Sequence, residues 1–402
     1  MIIAGDSVYW NQMVWNGKDG EKRMKVVIAA DSFKGSCSAG NVAKAMAAGV
    51  REVFPQAETV CLPVADGGEG TTDALLAALG GQRVQVPAHD PLGRPITAAY
   101  GLLPDGTAVI ETAAASGLPL LAEGERDALH ASTYGTGELI RHALTHGATQ
   151  ILLGLGGSAT TDGGLGLGQA LGISYRDAEG GELGPGGIAL AKLACVDAEK
   201  LLPEAKKCRF RLACDVRNTL CGPQGAAAVF GPQKGADPAQ VEQLDAALAH
   251  YGEVLKEQLG SDAAARPGSG AAGGLACTLL AFLESTLCPG IDLVLDTVGF
   301  DAQLADCDLV LTGEGRLDGQ SACGKVPFGV ARRAKARGVP VIAIGGAIGP
   351  GAEALYGCGV DALVSAVDKV TTLADAMAHA EENITAATAR TMRVLNIGRE
   401  MR

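Results

Sequence analysis

Five times along this chain a short apolar run stops at a turn crowded with Gly, Asp, Ser and Lys. The turns are Asp31-Ser32-Phe33-Lys34-Gly35, Ala65-Asp66-Gly67-Gly68-Glu69-Gly70, the stretch 154–164, Cys214-Asp215-Val216-Arg217-Asn218, and Thr312-Gly313-Glu314-Gly315-Arg316-Leu317-Asp318. Glycine lets a backbone bend sharply or approach a ligand closely. It makes up 57 of 402 residues, about twice its ordinary share. The excess follows no three-residue period, so a collagen-like chain is excluded.

The runs between these turns set the architecture. A strand over 25–30, a helix over 38–54 with Ser38 at its N-cap, a strand over 59–64 and a helix over 70–79 predict parallel sheet with covering helices. The rhythm then changes. Short strands over 82–86, 96–102 and 108–111, split by Asp90-Pro91 and Pro104-Asp105-Gly106, predict antiparallel or mixed sheet. A helix over 135–146, strands over 150–154 and 209–214, and helices over 241–259 and 273–287 follow. After Pro289 the parallel rhythm returns: strand 309–312, helix 326–337, strand 341–345, helix 352–356, strand 362–365, and a long helix from about 373. The fold expected is α/β: a parallel-sheet, Rossmann/flavodoxin-like domain from both chain ends (24–81 and 288–402), with an inserted mixed α/β domain (82–287). A chain of 402 residues suits two large domains. Residues 1–23 hold both tryptophans and break the pattern, and are read as a disordered extension.

Composition removes several classes of function. The net charge is −12 and aromatics are 4%, so neither a basic footprint nor a stacking surface for nucleic acid is expected. No apolar run approaches ~18 residues, which argues against a membrane span. No signal-peptide pattern opens the chain. Eleven cysteines, odd in number and without a CxxC, fit reduced thiols and a cytoplasmic protein. The oligomeric state stays open, with a homo-oligomer allowed.

Seven carboxylates stand in the five turns: Asp31, Asp66, Glu69, Asp162, Asp215, Glu314 and Asp318. So many acids at strand ends suggest a metal-assisted site. The stretch 154–164 (Gly-Leu-Gly-Gly-Ser-Ala-Thr-Thr-Asp-Gly-Gly) has three readings. Its glycines could gather N–H groups around a phosphate ahead of a helix. It also fits G-x-G-x-x-A with Asp177 further on, the dinucleotide fingerprint. Thirdly, it could be a plain turn. Gly319–Val326 misses the P-loop, because Val326 replaces the hydroxyl residue that would ligate Mg²⁺. His142 and His146 lack the glutamate of a zinc protease and are read as a surface pair.

With these blocks in hand, 24 to about 398 resembles the bacterial glycerate kinases of the first class. The resemblance rests on Asp31–Gly35, Pro63–Thr71, Ala113–Leu118, Gly135–Leu139, Gly154–Thr160, Ala213–Val216, Phe230–Gly235, and Thr312–Arg316 with Gln320-Ser321 and Gly324–Pro327. Three positions depart from the usual pattern. Ala30 stands for Pro, Tyr134 for an Arg that would sit near the substrate carboxylate, and Thr161 for Asn. The resemblance implies ATP-dependent phosphorylation of D-glycerate, to 2-phosphoglycerate in most of this class, at a cleft between two domains. The cofactors expected are ATP and Mg²⁺.

On this reading Gly156, Gly157, Ser158, Thr160, Gly163 and Gly164 hold phosphates. Lys34 and Lys325, with Arg316, neutralise charge. Asp31, Ser32, Arg316, Glu314 and Asp318 bind substrate, Asp66 and Asp162 contact Mg²⁺, and Asp215 accepts the hydroxyl proton. The alternatives are an NAD(P)-dependent dehydrogenase of a small hydroxy acid, resting on Gly154–Ala159 and Asp177, and a non-enzymatic sensor of small acids.

Overall fold

The computed structural model describes residues 23–401. The extension expected over 1–23 therefore lies outside the described residues, apart from Arg23. The chain forms two compact units, one from its ends (up to residue 65 and from 295) and one from residues 66–294.

The terminal unit opens with β1 (Lys25–Ile28), the helix Ala39–Val53 and β2 (Glu58–Cys61). Ser38 caps the helix as expected, its side chain accepting the Asn41 N–H at 3.3 Å. The middle unit then runs through the helix Thr71–Leu79, β3 (Gln82–His89), β4 (Pro95–Leu102), β5 (Thr107–Glu111), the helix Tyr134–Thr145 and β6 (Gln150–Gly154). It continues with the helix Leu165–Ala170, the ribbon of β7 (Ser174–Arg176) and β8 (Cys195–Asp197), β9 (Arg209–Ala213), the helices Pro238–Leu259 and Leu275–Phe282, and β10 (Ser285–Cys288). The helix Gly290–Thr297 leads back to β11 (Leu309–Leu317), the helix Val326–Ala336, β12 (Val341–Ile348), β13 (Ala362–Ser365) and the helix Ala380–Glu400.

The terminal unit's sheet is parallel throughout, in the order β13-β12-β11-β1-β2. Counted within the unit this is the flavodoxin order 2-1-3-4-5, completed across the insertion. Its core joins Val26, Ile28, Met46, Ile344 and Ile384. Gly49 lets the first and last helices cross closely, since a Cβ there would lie 2.6 Å from Thr388 Cβ. The middle unit's sheet is mixed, in the order β10-β9-β6-β5-β4-β3, with β3–β4–β5 antiparallel and β5–β6–β9–β10 parallel.

Five expectations need correction. The unit boundary falls at Asp66 rather than near 82, because the helix Thr71–Leu79 packs on β4 and β5. It returns at Leu295 rather than 288, since β10 pairs with β9. The helix expected over 273–287 stops at Phe282: Leu283 turns extended (φ −133°, ψ 157°), and residues 285–288 pair with the edge offered by β9. The turn expected at 312–318 is largely strand, because β12 offers partners as far as Leu317. The long C-terminal helix is broken at His379, between Leu373–Ala378 and Ala380–Glu400.

Candidate active site

In the terminal unit the strand order reverses between β1 and β11, and ligands of such sheets bind outside the carboxyl ends at that point. The Asp31 N–H donates to the Gly313 carbonyl at 2.9 Å, which brings the turn after β1 beside the end of β11. Asp31 and Glu314 are both buried there. Asp31 Oδ1 accepts the Ser32 N–H at 2.6 Å and its hydroxyl at 3.2 Å. Ser321 Oγ donates to the Glu314 carboxylate and accepts the Asp318 N–H at 3.1 Å. Arg316 is exposed, with Nε 3.4 Å from Asp318 Oδ2. Lys34 is exposed in the turn closed by the Phe33 N–H on Cys37. Lys325 stands half-buried at the N-cap of Val326–Ala336. Asp31, Ser32, Glu314, Arg316 and Asp318 thus gather at the carboxyl ends of the adjacent strands β1 and β11, with a cation on each flanking loop.

The middle unit holds a cleft of about 410 Å³, which Asp66, Gly156, Gly157, Ser158, Asp215 and Lys234 help to line. Glycines build it. A Cβ on Gly154 would stand 2.6 Å from the Gly67 carbonyl oxygen, and one on Gly67 would stand 2.6 Å from Ala213 Cβ and 2.8 Å from Gly290 Cα. Four backbone segments therefore pack without side chains between them, and Asp66 and Asp215 open on the same space. Asp215 Oδ1 accepts the Gly290 N–H at 2.9 Å. Although Asp215 reaches solvent, burial of its surroundings raises its pKa, opposed by the Gly290 N–H and helped by the negative charges of Asp66 and Asp292. Asp66 Oδ1 accepts the Gly68 N–H at 3.1 Å.

Gly156, Gly157 and Ser158 present three successive N–H groups that donate to no protein acceptor among the described residues. Gly157 lies in the left-handed region (φ +73°), as such an anion-binding concavity requires. The segment is pinned on both sides: the Gly157 carbonyl accepts Leu118 N–H at 2.9 Å, and Ala159 N–H donates to Ser116 at 2.8 Å.

The second half of the stretch does other work. Gly163 N–H is spent on the Gly273 carbonyl at 2.9 Å and Gly164 N–H on Asp162 at 3.1 Å, so neither serves a phosphate. Thr160 is fully buried, and its carbonyl rather than its hydroxyl contributes, by accepting Lys234 Nζ at 2.6 Å. Asp162 is corrected as a metal contact. It is fully buried, and its carboxylate accepts Thr133 N–H and Oγ at 2.8 Å, Gly164 N–H at 3.1 Å and Gly166 N–H at 3.2 Å. Burial raises its pKa and these four donors oppose the shift. It locks the loop to the helix Leu165–Ala170.

Asp177 is likewise unavailable to a ribose. Its Oδ1 accepts Glu179 N–H at 3.1 Å and Gly181 N–H at 2.8 Å, closing the turn after β7. The dinucleotide reading loses its acidic partner. His142 and His146 are stacked, ring centroids 3.9 Å apart, with His142 Nδ1 3.2 Å from Tyr100 Oη. Tyr134 begins the helix Tyr134–Thr145 half-exposed, its ring edge-on to His89.

Lys234 is the residue that sequence reasoning missed. It is 2% exposed, its Nζ donates to Ser158 Oγ at 3.0 Å and to Thr160, and burial pushes its pKa down to about 7 against the pull of Asp162. The signal was a lysine within the apolar, glycine-flanked segment Phe230–Gly235, quoted above only as part of a motif.

Three amide donors and an ammonium suit a phosphate group. Two neighbouring carboxylates, one with raised proton affinity, suit a cation and a base. Magnesium is commonly held by one or two carboxylates together with phosphate oxygens and water; Asp66 fits that donor set and Asp162 does not. All eleven cysteines are free, and no helix among the described residues is long and apolar enough to cross a membrane.

Residues 26–396 match the model of the glycerate kinase family. The chain is 47% identical over 376 residues to the glycerate 2-kinase of Escherichia coli K12, covering 93% of this chain and 99% of that one. It is 48% identical over 353 residues to the glycerate kinase of Halalkalibacterium halodurans, covering 88% and 93%. A crystal structure from Salmonella typhimurium LT2, of a protein provisionally assigned as glycerate kinase 2, superposes with a TM-score of 0.87 at 46% identity, covering 94% of this chain and 100% of that one.

Proposed function

The chain belongs to the glycerate kinase family, and from that premise we propose that it transfers the γ-phosphoryl group of ATP to a hydroxyl of D-glycerate, giving 2-phosphoglycerate and ADP. The observation that carries the nucleotide part is the run of three unengaged amides at Gly156, Gly157 and Ser158, backed by the Lys234 ammonium. In-line phosphoryl transfer depends on positioning and charge neutralisation more than on covalent chemistry by the protein. These groups hold the phosphates. Asp66 would hold magnesium, which when bound neutralises charge on the phosphate oxygens. Asp215 accepts the proton of the attacking hydroxyl. Its raised pKa makes it a stronger base than an ordinary aspartate. Asp31, Ser32, Glu314, Arg316 and Asp318 bind glycerate, with Arg316 as the natural bidentate partner of its carboxylate. Lys34 and Lys325 add positive charge for the phosphates or the carboxylate.

The test is ADP release from Mg²⁺-ATP with D-glycerate, L-glycerate, tartronate or no acceptor, with the product assigned by ³¹P NMR. Release that requires D-glycerate and a 2-phosphoglycerate signal are expected. A 3-phosphoglycerate signal would correct the position of transfer. Acceptor-independent release, or none from folded protein, would overturn the assignment of substrate.

A further inference from the structure

Lysine is among the residues least often buried whole, and an unpaired ammonium away from water is costly. Lys234 nevertheless stands behind the amide run, 2% exposed, on the short 3-10 helix Pro232–Lys234. Gly235 closes that turn in the left-handed region (φ +97°), and a Cβ there would lie 2.9 Å from Arg126 Cβ, so the turn is held against its neighbour. Both hydrogen bonds of Nζ go to neutral oxygens, the Thr160 carbonyl and the Ser158 hydroxyl. The charged groups around it are few. Asp162 attracts it, but that carboxylate is occupied by Thr133, Gly164 and Gly166. Asp66 and Asp215 line the same cleft. Arg126 lies on the Gln233 side, donating to that carbonyl at 3.2 Å. The ammonium thus lacks a full counter-charge, and the amide run beside it, unengaged by protein acceptors among the described residues, is where a phosphate would bring one.

We propose that this cleft takes up a phosphate group together with one proton, and that the proton is held at Lys234 Nζ. A phosphate dianion on the amides of Gly156–Ser158 supplies the charge that the ammonium lacks, and by linkage each favours the other. In the free protein the pKa near 7 leaves the amine mostly neutral in mild alkali; with phosphate bound it is charged. The inference rests on the phosphate reading of this cleft and deepens it, adding a residue and a proton count that the reading itself does not require.

Calorimetric titration of the full chain with ADP and magnesium at pH 8.5, in two buffers of different ionisation enthalpy, counts the protons exchanged. The phosphates of ADP are ionised at that pH, so they contribute none. Uptake approaching one proton per ADP is expected. Lys234→Met, checked for folding by its melting curve, should bind ADP about 10- to 100-fold more weakly at pH 7, from the loss of charge-assisted hydrogen bonds, and should take up no proton at pH 8.5. Binding without uptake by the unaltered protein overturns the proposal, and that measurement needs no variant. Uptake that survives in Lys234→Met places the proton elsewhere, Asp215 first, and overturns it too. Absence of ADP binding by folded protein is a distinct result, and removes the phosphate reading along with the inference.

Discussion

Asp162 and Asp215 are both aspartates in glycine-rich segments after strands, and their surroundings give them opposite work. Asp162 accepts four hydrogen bonds inside the protein, so its charge is absorbed by structure. Asp162→Ala strands those donors, and at roughly 1–3 kcal/mol per buried unsatisfied group the loss of stability should reach about 3 kcal/mol or more. Chemical denaturation measures it. The magnesium dependence of the fraction still folded should not change; a raised magnesium requirement would return Asp162 to the metal. Asp215 accepts the Gly290 N–H and faces Asp66 across the cleft. Its folded pKa is raised, so it must ionise at a higher pH than an ordinary aspartate, near 3.9, before it can act as a base. A carboxyl ¹³C titration of the ligand-free protein should place its midpoint above that value. Asp66→Asn removes a charge that disfavours ionisation, so the midpoint should move to lower pH. A midpoint unmoved by Asp66→Asn would mean that the two carboxylates do not sense each other.

At the scale of elements, the cleft is made by strand ends that approach more closely than side chains permit. β6 and β9 are parallel neighbours, with Gly154 opposite Ala213, and Gly67 is wedged between them and Gly290. Gly67 also sits at φ +87°, where any Cβ is strained. Gly67→Ala should therefore destabilise the middle unit by about 1–3 kcal/mol through overpacking. It should also lower turnover by moving Asp66, which is attached to it. Melting temperature and kcat measured on the same preparation separate the two effects. A variant that melts earlier but turns over normally would show that the glycine matters for packing alone.

The terminal unit is assembled from residues far apart in the chain. The Lys25 N–H donates to the Asp308 carboxylate at 2.8 Å across 283 positions, and the 2-1-3-4-5 order is complete only after the middle unit has been made. The two units carry different chemistry: unengaged amides and Lys234 in the middle one, buried carboxylates with Arg316 in the terminal one. Hydrogen exchange read by mass spectrometry should show ADP protecting 154–162 and 230–236, and D-glycerate protecting 29–36 and 313–321. The reverse pattern would exchange the proposed roles of the units.

The alternation of apolar runs and glycine turns was enough to read the α/β class, the parallel sheet from both chain ends and the inserted mixed sheet, because period and turn chemistry are local properties. Ser38 as an N-cap was legible for the same reason. What could not be read locally was which donors and acceptors are already spent. Gly156 and Gly163 look alike in the sequence; one keeps its N–H, and the other gives it to Gly273, 110 positions on. Residues 285–288 are strand only because β9 has an open edge, and the helix Thr71–Leu79 belongs to the middle unit only because β4 and β5 receive it. Lys234 looks like any surface lysine until the fold buries it. Chain-local chemistry determined the elements and the turns that bear function. Long-range packing and the use of each hydrogen-bonding group decided which residues of those turns remain available to a ligand.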